Sequence, residues 1–317
     1  MRISDDIRRA VVFFGVPTEK KPIEYGGTGF LVAYKAGTDF PFTYLLTARH
    51  VAVALHGHED TGFFLRANTT NGESMAFPVP SEKVKWSFHP DESVDLAVTI
   101  FGFPLEAHAD HIFYLLSERN CVFDFQKEVC CGDICNLIGL FRLHAGSKRN
   151  VPIVHTGNIA LLPDPKEPIP LRNRITGKLI ETEAYLIEAQ TLEGLSGAPV
   201  FVHQVVDLVI PSLEKVPDVL DVVMHYPKAI GIVKLLGLYT GSWDGEPGTI
   251  LEADRNFRGG MRVPVGMGTV VPTKKIIELL QDHPELKKFR KEWIDAHESE
   301  HAAGQIASPG EMAPGYG

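Results

Sequence analysis

Cysteine is scarce in this chain: its 317 residues include only Cys121, Cys130, Cys131 and Cys135, all within one short stretch. A small secreted scaffold held by disulfides needs more cysteines than this and spreads them more widely. Clustered thiols can instead bind zinc, but zinc sites pair their ligands in C-x2-C spacings that are missing here. We therefore expect buried, reduced structural thiols, no metal and no other cofactor, with a zinc cluster as the weaker alternative.

Long apolar runs and an excess of basic residues are also missing. No run approaches the roughly 20 residues that span a bilayer, and the first residues, MRISDD, are charged where a secretory leader is apolar. Lysine and arginine total 31 against 40 acidic residues, a net charge of −9, whereas proteins that hold nucleic acid by its phosphates present a basic face. The sequence predicts a cytoplasmic protein with no membrane or nucleic-acid partner.

Short apolar runs rich in β-branched and aromatic residues recur through the first two-thirds of the chain, separated by Gly, Pro, Asp and Asn. Runs of this length and spacing are typical of the strands of a β-sandwich or β-barrel. No stretch of helical periodicity long enough for repeated β-α-β crossovers lies between them, which argues against a parallel sheet. We expect an all-β architecture, and the length allows about two domains.

Two segments depart from this rhythm. Residues 203–233 form an acidic stretch without alternation, which we interpret as an insertion. From residue 273 onward apolar side chains recur at helical spacing, interrupted by Pro284. This pattern predicts C-terminal helices over 273–300, followed by a disordered tail over 301–317.

A histidine, His50, ends a strand-like run in the segment LLTARHV. An imidazole held at the end of a strand can exchange protons near neutral pH. Because the chain has 13 histidines, His50 taken alone is better explained as an ordinary core or surface residue.

An acidic residue, Asp95, directly precedes the apolar run LAV. A buried carboxylate in such a place can accept a hydrogen bond from the Nδ1–H of a histidine, which fixes the tautomer and stabilises the imidazolium. Asp91 is a rival, but it follows Pro90 in a polar loop, so we favour Asp95. The alternative role for Asp95 is capping a strand.

A serine, Ser196, lies between glycines in the segment GLSGAPVF. Glycine permits backbone conformations that are closed to residues with a Cβ atom. Such backbone can turn two N–H groups towards one point, as an oxyanion hole requires. Taken alone, the segment is better explained as a Gly-Ser turn.

The order of these three residues along the chain discriminates between enzyme classes. His50, Asp95 and Ser196 follow one another with separations of 45 and 101 residues. An α/β-hydrolase runs Ser, acid, His and needs G-x-S-x-G, whereas Ala198 stands two residues after this serine; subtilisin-like enzymes run Asp, His, Ser. The chymotrypsin order alone fits.

Four short motifs in this order resemble those of the trypsin-like (chymotrypsin-fold) serine peptidases, especially the bacterial intracellular and stress-protease type. They are GTGFLV at 27–32, TARH at 47–50, DLAV at 95–98 and GLSG at 194–197. Later segments at 236–241 and 268–272 look like the closing strands of that family. The resemblance therefore covers most of the chain, from about residue 10 to about residue 282.

The resemblance implies two antiparallel six-stranded β-barrels with C-terminal α-helices. The N-terminal barrel would span 1–120 and carry the histidine and the aspartate, and the C-terminal barrel would span 121–272 and carry the serine. The active site would then lie in the cleft between the two barrels.

Roles for individual residues follow from the same resemblance. Ser196 would attack a peptide carbonyl, His50 would take and return its proton, and Asp95 would orient His50. The N–H groups of Gly194 and Ser196 would hold the oxyanion. The residues expected to bind the substrate are Gln190 at the base of the specificity pocket and, on its wall, Thr240, Gly241 and Ser242.

Two departures from the family pattern carry information. Gln190 is a neutral amide, so the pocket base offers no carboxylate to an Arg or Lys side chain and strict basic specificity is not expected. Leu195 stands where digestive members have Asp. Activation by pairing that Asp with a newly cleaved N-terminus therefore has no counterpart in this chain.

The sequence thus predicts a serine endopeptidase that works through an acyl-enzyme, with narrow specificity or regulation. Its expected partners are a protein or peptide substrate and a candidate regulatory protein. The alternative is a catalytically silent or conditionally active trypsin-like fold that serves as a protein-binding module. A third hypothesis, a metal-dependent hydrolase using His56 and His58 with Glu59 and Asp60, is weaker because no further ligand is placed.

Overall fold

The computed structural model describes residues 3–38, 41–57, 62–101, 111, 113–189, 192–204, 232–245 and 263–306. Within these ranges the protein is mostly β, with an open sheet in the N-terminal half, a closed barrel in the C-terminal half and helices at the C-terminal end.

The N-terminal half forms an eight-stranded sheet. Its strands are β1 Val11–Val16, β2 Glu24–Tyr34, β3 Phe42–Thr47, β4 Phe63–Asn68, β5 Ser74–Val79, β6 Ser87–Phe88, β7 Ala97–Ile100 and β8 Tyr114–Leu115. The order is β5-β4-β1-β2-β3-β7-β6, and β8 pairs in parallel with β2. The apolar run VVFFGV of β1 lies near the middle of the sheet, and all of its residues except Val16 are buried.

This sheet corrects the expectation of two closed barrels, because the described strands form only one. Its edge strands β5 and β6 are not hydrogen-bonded to each other. Strand β6 is two residues long, which leaves few groups for a closing ladder. Strand β5 contains Pro78, which has no N–H to donate and is tolerated mainly on edge strands.

The C-terminal half contains the closed barrel, in the order β10-β13-β16-β15-β14-β9. Its strands are β9 Ile134–Gly139, β10 Ile153–Leu161, β13 Tyr185–Glu188, β14 Pro199–Gln204, β15 Ile232–Gly245 and β16 Val263–Pro272. Two further strands, β11 Ile169–Arg172 and β12 Leu179–Thr182, form a separate antiparallel hairpin. Fully buried side chains fill the barrel, among them Leu137, Ile187, Val200, Leu236 and Val270.

The helices are α1 Asp5–Arg9, α2 Arg49–His56, α3 Phe125–Glu128, α4 Thr273–Asp282 and α5 Pro284–Ile306, and short 3-10 turns lie at Ser81–Lys83 and Arg142–His144. None of the described helices is long and apolar enough to cross a membrane.

The two C-terminal helices pack on the N-terminal sheet. Ile276 and Leu280 of α4 are fully buried in the same core cluster as strands β1 and β3. Trp293 of α5 lies with its ring centroid 5.3 Å from that of Phe42, edge to face. Chain that follows the barrel therefore completes the core of the other half.

Two predicted boundaries are corrected by these elements. Helix α5 continues to Ile306, six residues past the predicted end of the helices at 300, and the rest of the predicted tail, 307–317, lies outside the described residues. The ends of the predicted insertion belong to strands, since His203 pairs with Val233 across β14 and β15. The remainder, 205–231, also lies outside the described residues.

A buried arginine ties the two halves together. Arg66 on β4 donates from Nε to the Asn150 side chain at 2.5 Å, and from its other nitrogens to the carbonyls of Ala145 at 2.6 Å and Gly146 at 3.0 Å. Its guanidinium also lies over the ring of Tyr25, 4.2 Å from the centroid. Burial lowers the pKa of Arg66 from its usual value. The loop between β9 and β10 is thereby fixed to the N-terminal sheet.

Candidate active site

The structure brings His50 and Asp95 into direct contact. Asp95 Oδ2 lies 2.6 Å from His50 Nδ1, and Asp95 Oδ1 accepts from the backbone N–H of His50 at 2.9 Å. The side chains are 18% and 20% exposed respectively, so the pair is largely shielded yet reaches a surface. The carboxylate therefore holds the histidine at two points and selects the tautomer with the proton on Nδ1.

The local sequence explains why this contact forms. His50 is the second residue of α2, so its backbone N–H belongs to the first turn and has no acceptor within the helix. The N-cap position is Ala48, which has no side-chain acceptor. Asp95, just ahead of β7, supplies the missing acceptor, and a carboxylate near a helix N-terminus is also favoured by the helix dipole.

The rival carboxylate, Asp91, serves the loop instead. Asp91 Oδ1 accepts from the N–H of Ser93 at 2.9 Å, and the N–H of Asp91 donates to His89 Nδ1 at 3.2 Å. Burial, with the positive charge of Lys275 acting in the same direction, lowers the pKa of His89, which keeps Nδ1 available as an acceptor. This turn sets the path of the chain into Asp95.

Ser196 lies in the short loop between residue 192 and β14. Its hydroxyl donates to the carbonyl of Thr240 at 3.3 Å. Within the described residues no hydrogen bond joins Ser196 to His50, although Thr240 lines the same cleft as His50 and Asp95. The structure thus brings two of the three predicted catalytic residues together and leaves the serine hydroxyl directed to a neighbouring carbonyl.

Thr28, in the GTGF motif of β2, anchors the serine loop to the N-terminal half. Its hydroxyl donates to the carbonyl of Gly194 at 2.6 Å and accepts from the N–H of Leu140 at 3.0 Å. Its backbone N–H donates to the carbonyl of Ser196 at 3.1 Å. One strand of the sheet therefore fixes two carbonyls of the loop that carries the nucleophile candidate.

The predicted oxyanion-hole amides are free of protein acceptors. Across the described part of the chain, the N–H groups of Gly194 and Ser196 make no hydrogen bond. Gly194 has φ +97° and Gly197 has φ +89°, a left-handed backbone that favours glycine. Thr28 holds the carbonyls of Gly194 and Ser196, which fixes the peptide groups of this loop.

Gly197 is confined by space as well as by its backbone, which gives a stability prediction. A Cβ atom there would lie 2.0 Å from the carbonyl oxygen of Thr28 and 2.4 Å from the hydroxyl of Thr47. We expect Gly197→Ala to lower the free energy of unfolding by about 3 kcal/mol, from left-handed strain plus forced displacement of packed backbone. Urea denaturation of the two proteins measures the difference.

Gly72 provides a matched control for this substitution. It has the same φ of +89°, but a Cβ atom there would meet nothing within 4 Å. Gly72→Ala should therefore cost only the backbone term, about 1 kcal/mol. Equal losses for the two variants would show that the close approach at Gly197 is unimportant.

Three of the four predicted substrate-binding residues, Thr240, Gly241 and Ser242, lie on β15. Thr240 is buried, with its hydroxyl 2.8 Å from that of Thr269 on β16, while Gly241 adopts φ +136°. The carbonyl of Ser242 accepts from Arg174 at 2.9 Å. Gln190, predicted at the base of the pocket, lies outside the described residues.

The β11–β12 hairpin, which was not predicted from the sequence, forms one side of this cleft. Leu171, Arg172 and Arg174 of the hairpin line the cleft together with His50 and Asp95. A signal was present in the segment IPLRNRITGKLIET, where Asn and Thr-Gly separate two alternating runs as in a β-hairpin.

Leu195, the residue between the two predicted oxyanion-hole amides, points into the barrel core. It is fully buried, and a Cβ atom on Gly139 would lie 2.9 Å from its Cδ2. Position 195 is therefore apolar and offers no carboxylate to pair with an N-terminal amine.

The cysteines split into two environments. Cys121 and Cys135 are buried, and burial raises the pKa of each thiol to about 12. Cys130 and Cys131 are exposed, so the expectation that all four are buried is wrong for this pair. Among the residues that the structure describes, no group of three or more His, Cys, Asp or Glu side chains is arranged to hold a metal. Residues 58–60 of the alternative metal hypothesis lie outside those residues.

No family model and no curated protein matches this chain. Among solved structures it is similar to Rv3671c from M. tuberculosis H37Rv in the inactive form of a serine-to-alanine mutant, with 14% identity, a TM-score of 0.39 and coverage of 86% of each chain. The inactive form of Rv3671c protease gives 15% identity, the same TM-score of 0.39, and coverage of 86% of this chain and 88% of that one. Values of this order are too low to assign a family.

Proposed function

We propose that this protein is a serine endopeptidase in which Ser196 is the nucleophile, His50 the general base and Asp95 the group that orients the base. The observation that carries the proposal is the two-point contact of Asp95 with His50. A carboxylate that binds both the backbone N–H and Nδ1 of one histidine fixes the ring so that Nε2 is the acceptor.

The chemistry follows from that tautomer. Nε2 of His50 takes the hydroxyl proton as Ser196 Oγ attacks the carbonyl carbon of the substrate, and the tetrahedral oxyanion is received by the N–H groups of Gly194 and Ser196. The imidazolium then gives its proton to the leaving amine, leaving an acyl-enzyme. Water, deprotonated by the same nitrogen, attacks the ester and releases the carboxylate product and the serine hydroxyl.

The present direction of the Ser196 hydroxyl supports the conditionally active alternative. It donates to the Thr240 carbonyl, so the side chain must rotate before it can pass its proton to His50. Catalytic hydrogen bonds often tighten only when substrate is bound. We therefore propose an enzyme whose alignment is completed by its protein or peptide substrate or by a regulatory protein, acting in the reducing cytoplasm.

Covalent labelling tests the proposed function. A fluorophosphonate probe mimics the tetrahedral intermediate and reacts with a serine only where a base and an oxyanion hole act on it. We expect one adduct on Ser196, located by mass spectrometry, in the native protein and none in urea-denatured protein. A native protein that stays unlabelled, both alone and with casein added as a generic protein substrate, contradicts the enzyme proposal.

A further inference from the structure

The β11–β12 hairpin is held in place by hydrogen bonds on both of its strands. Thr182 Oγ1 donates to the carbonyl of Ser93 at 3.0 Å, and the indole N–H of Trp243 donates to the carbonyl of Pro170 at 3.1 Å. Its turn is ordered by the side chain of Asn173, which accepts from the N–H groups of Ile175 and Thr176, each at 2.9 Å. The hairpin therefore holds a defined position against both halves of the protein.

The tip of the hairpin covers part of β15, the strand along which a peptide substrate is expected to lie. Arg174 donates to the carbonyl of Ser242 at 2.9 Å. Its guanidinium covers Gly241 so closely that a Cβ atom there would lie 2.2 Å from a guanidinium nitrogen. An extended peptide gains its main-chain hydrogen bonds from such a strand, so Arg174 and the peptide compete for the same carbonyl.

The space under the hairpin is also too small for a substrate. The cleft between the hairpin and the His50–Asp95 pair has a volume of about 20 Å³. That is room for about one or two water molecules. A peptide reaches the predicted catalytic residues only if the tip moves away from β15.

The charged side chains that line the cleft indicate which peptides would move the hairpin tip. Arg49 and Arg174 line the cleft, and neither has a carboxylate partner among the described residues. Arg172 is a third cation that lines the cleft, where Glu92 is also present, while Asp95 is engaged by His50. Arg174 is exposed, and among the described residues its guanidinium donates to one neutral carbonyl. A carboxylate adds opposite charge and can accept two parallel hydrogen bonds from a guanidinium, so it is the stronger acceptor.

We propose that the hairpin is a gate on the peptide-binding strand and that an acidic side chain of the substrate opens it by drawing Arg174 away from Ser242. The preferred substrates are therefore segments with Glu or Asp at the position that faces the hairpin. This inference rests on the proposed function, because that function makes β15 a peptide-binding strand.

Binding without turnover tests the gate separately from catalysis. The probes are fluorescein-labelled octapeptide libraries, each with one fixed position that carries Glu or Gln and all others randomised. Their affinity is measured by anisotropy on protein carrying Ser196→Ala. At one fixed position we expect Glu to bind about tenfold more tightly than Gln. Adding Arg174→Ala should raise the affinity of the Gln library by about five- to tenfold and remove the preference for Glu. The reason is that the hydrogen bond from Arg174 to the Ser242 carbonyl no longer blocks β15.

Lys178→Ala is the matched control. It removes a positive charge from the same turn, and among the described residues its side chain makes no hydrogen bond or ion pair with β15. The ratio of Glu to Gln affinities should stay unchanged in this variant. Weaker binding of both libraries in Arg174→Ala, an unchanged Gln affinity, or no peptide binding at all overturns the gate. Fluorophosphonate labelling of Ser196 in protein carrying Arg174→Ala alone, where the tip is no longer bonded to β15, reports on the catalytic proposal by itself.

Discussion

Replacing Ser196 by alanine should reduce kcat on a peptide substrate by a factor on the order of 10⁶, while the protein keeps its fold. The reason is chemical: without Oγ there is no acyl-enzyme, and hydrolysis falls back on direct attack by water. The Ser196 hydroxyl makes one hydrogen bond, at 3.3 Å to Thr240, so its loss should change the free energy of unfolding by about 1 kcal/mol or less. Initial rates with a fluorogenic peptide and urea denaturation give the two quantities.

The residual rate of this variant carries its own information. If the amides of Gly194 and Ser196 receive the oxyanion, the Ser196→Ala protein should still hydrolyse the peptide about 10³–10⁴ times faster than water alone. A second substitution, His50→Ala, should then cost little more, since residues that act as a unit are not additive. Undiminished kcat in Ser196→Ala would rule out this serine as the nucleophile.

The parts of the site that could be predicted from sequence are those fixed by local chemistry. Asp95 is directed to His50 because a helix that begins at Arg49 leaves an unsatisfied N–H for a nearby carboxylate. Gly194 and Gly197 take the positive φ values that the spacing of glycines around Ser196 indicated. The glycine conformations depend on a few residues of one short segment, whereas the contact of Asp95 with His50 joins positions 45 residues apart and was indicated by the motifs and their order.

Features set by long-range contacts escaped prediction. Closure of the N-terminal sheet depends on whether β5 and β6 meet, and nothing in a two-residue strand specifies that. Thr28 fits the GTGF motif, yet its hydrogen bonds to Gly194 and Ser196 join positions more than 160 residues apart. The hairpin has a recognisable turn, but its docking on β15 depends on Arg174 meeting a carbonyl that no local pattern marks.

The direction of the Ser196 hydroxyl was likewise beyond the motifs. The order of the motifs predicted that this serine lies with His50. The acceptor of its hydroxyl is instead the main-chain carbonyl of Thr240 on β15, and no sequence motif marks it because every residue has such a carbonyl. The rotamer of a serine is decided by acceptors that differ little in hydrogen-bond strength. A small change at the cleft, such as the arrival of a substrate, is therefore enough to redirect it.

Asp95→Asn should reduce kcat by about 10⁴ at neutral pH with the fold intact. The backbone N–H of His50 can only donate, so the amide of the new side chain must present its oxygen there, where Oδ1 now accepts at 2.9 Å. Its NH2 group then faces His50 Nδ1, which lies 2.6 Å from the present Oδ2. Nδ1 must become the acceptor, the ring proton moves to Nε2, and the base that receives the Ser196 proton is lost.

Asp91→Asn separates this effect from a general loss of negative charge near the histidine. Asp91 accepts from the N–H of Ser93 and makes no contact with His50 among the described residues, and an amide oxygen can replace the carboxylate there. We expect kcat within about threefold of the unsubstituted protein, because the tautomer of His50 is unaffected. Comparable losses in Asp91→Asn and Asp95→Asn would show that charge alone matters, whereas a loss confined to Asp95→Asn shows that the two hydrogen bonds to His50 set its proton.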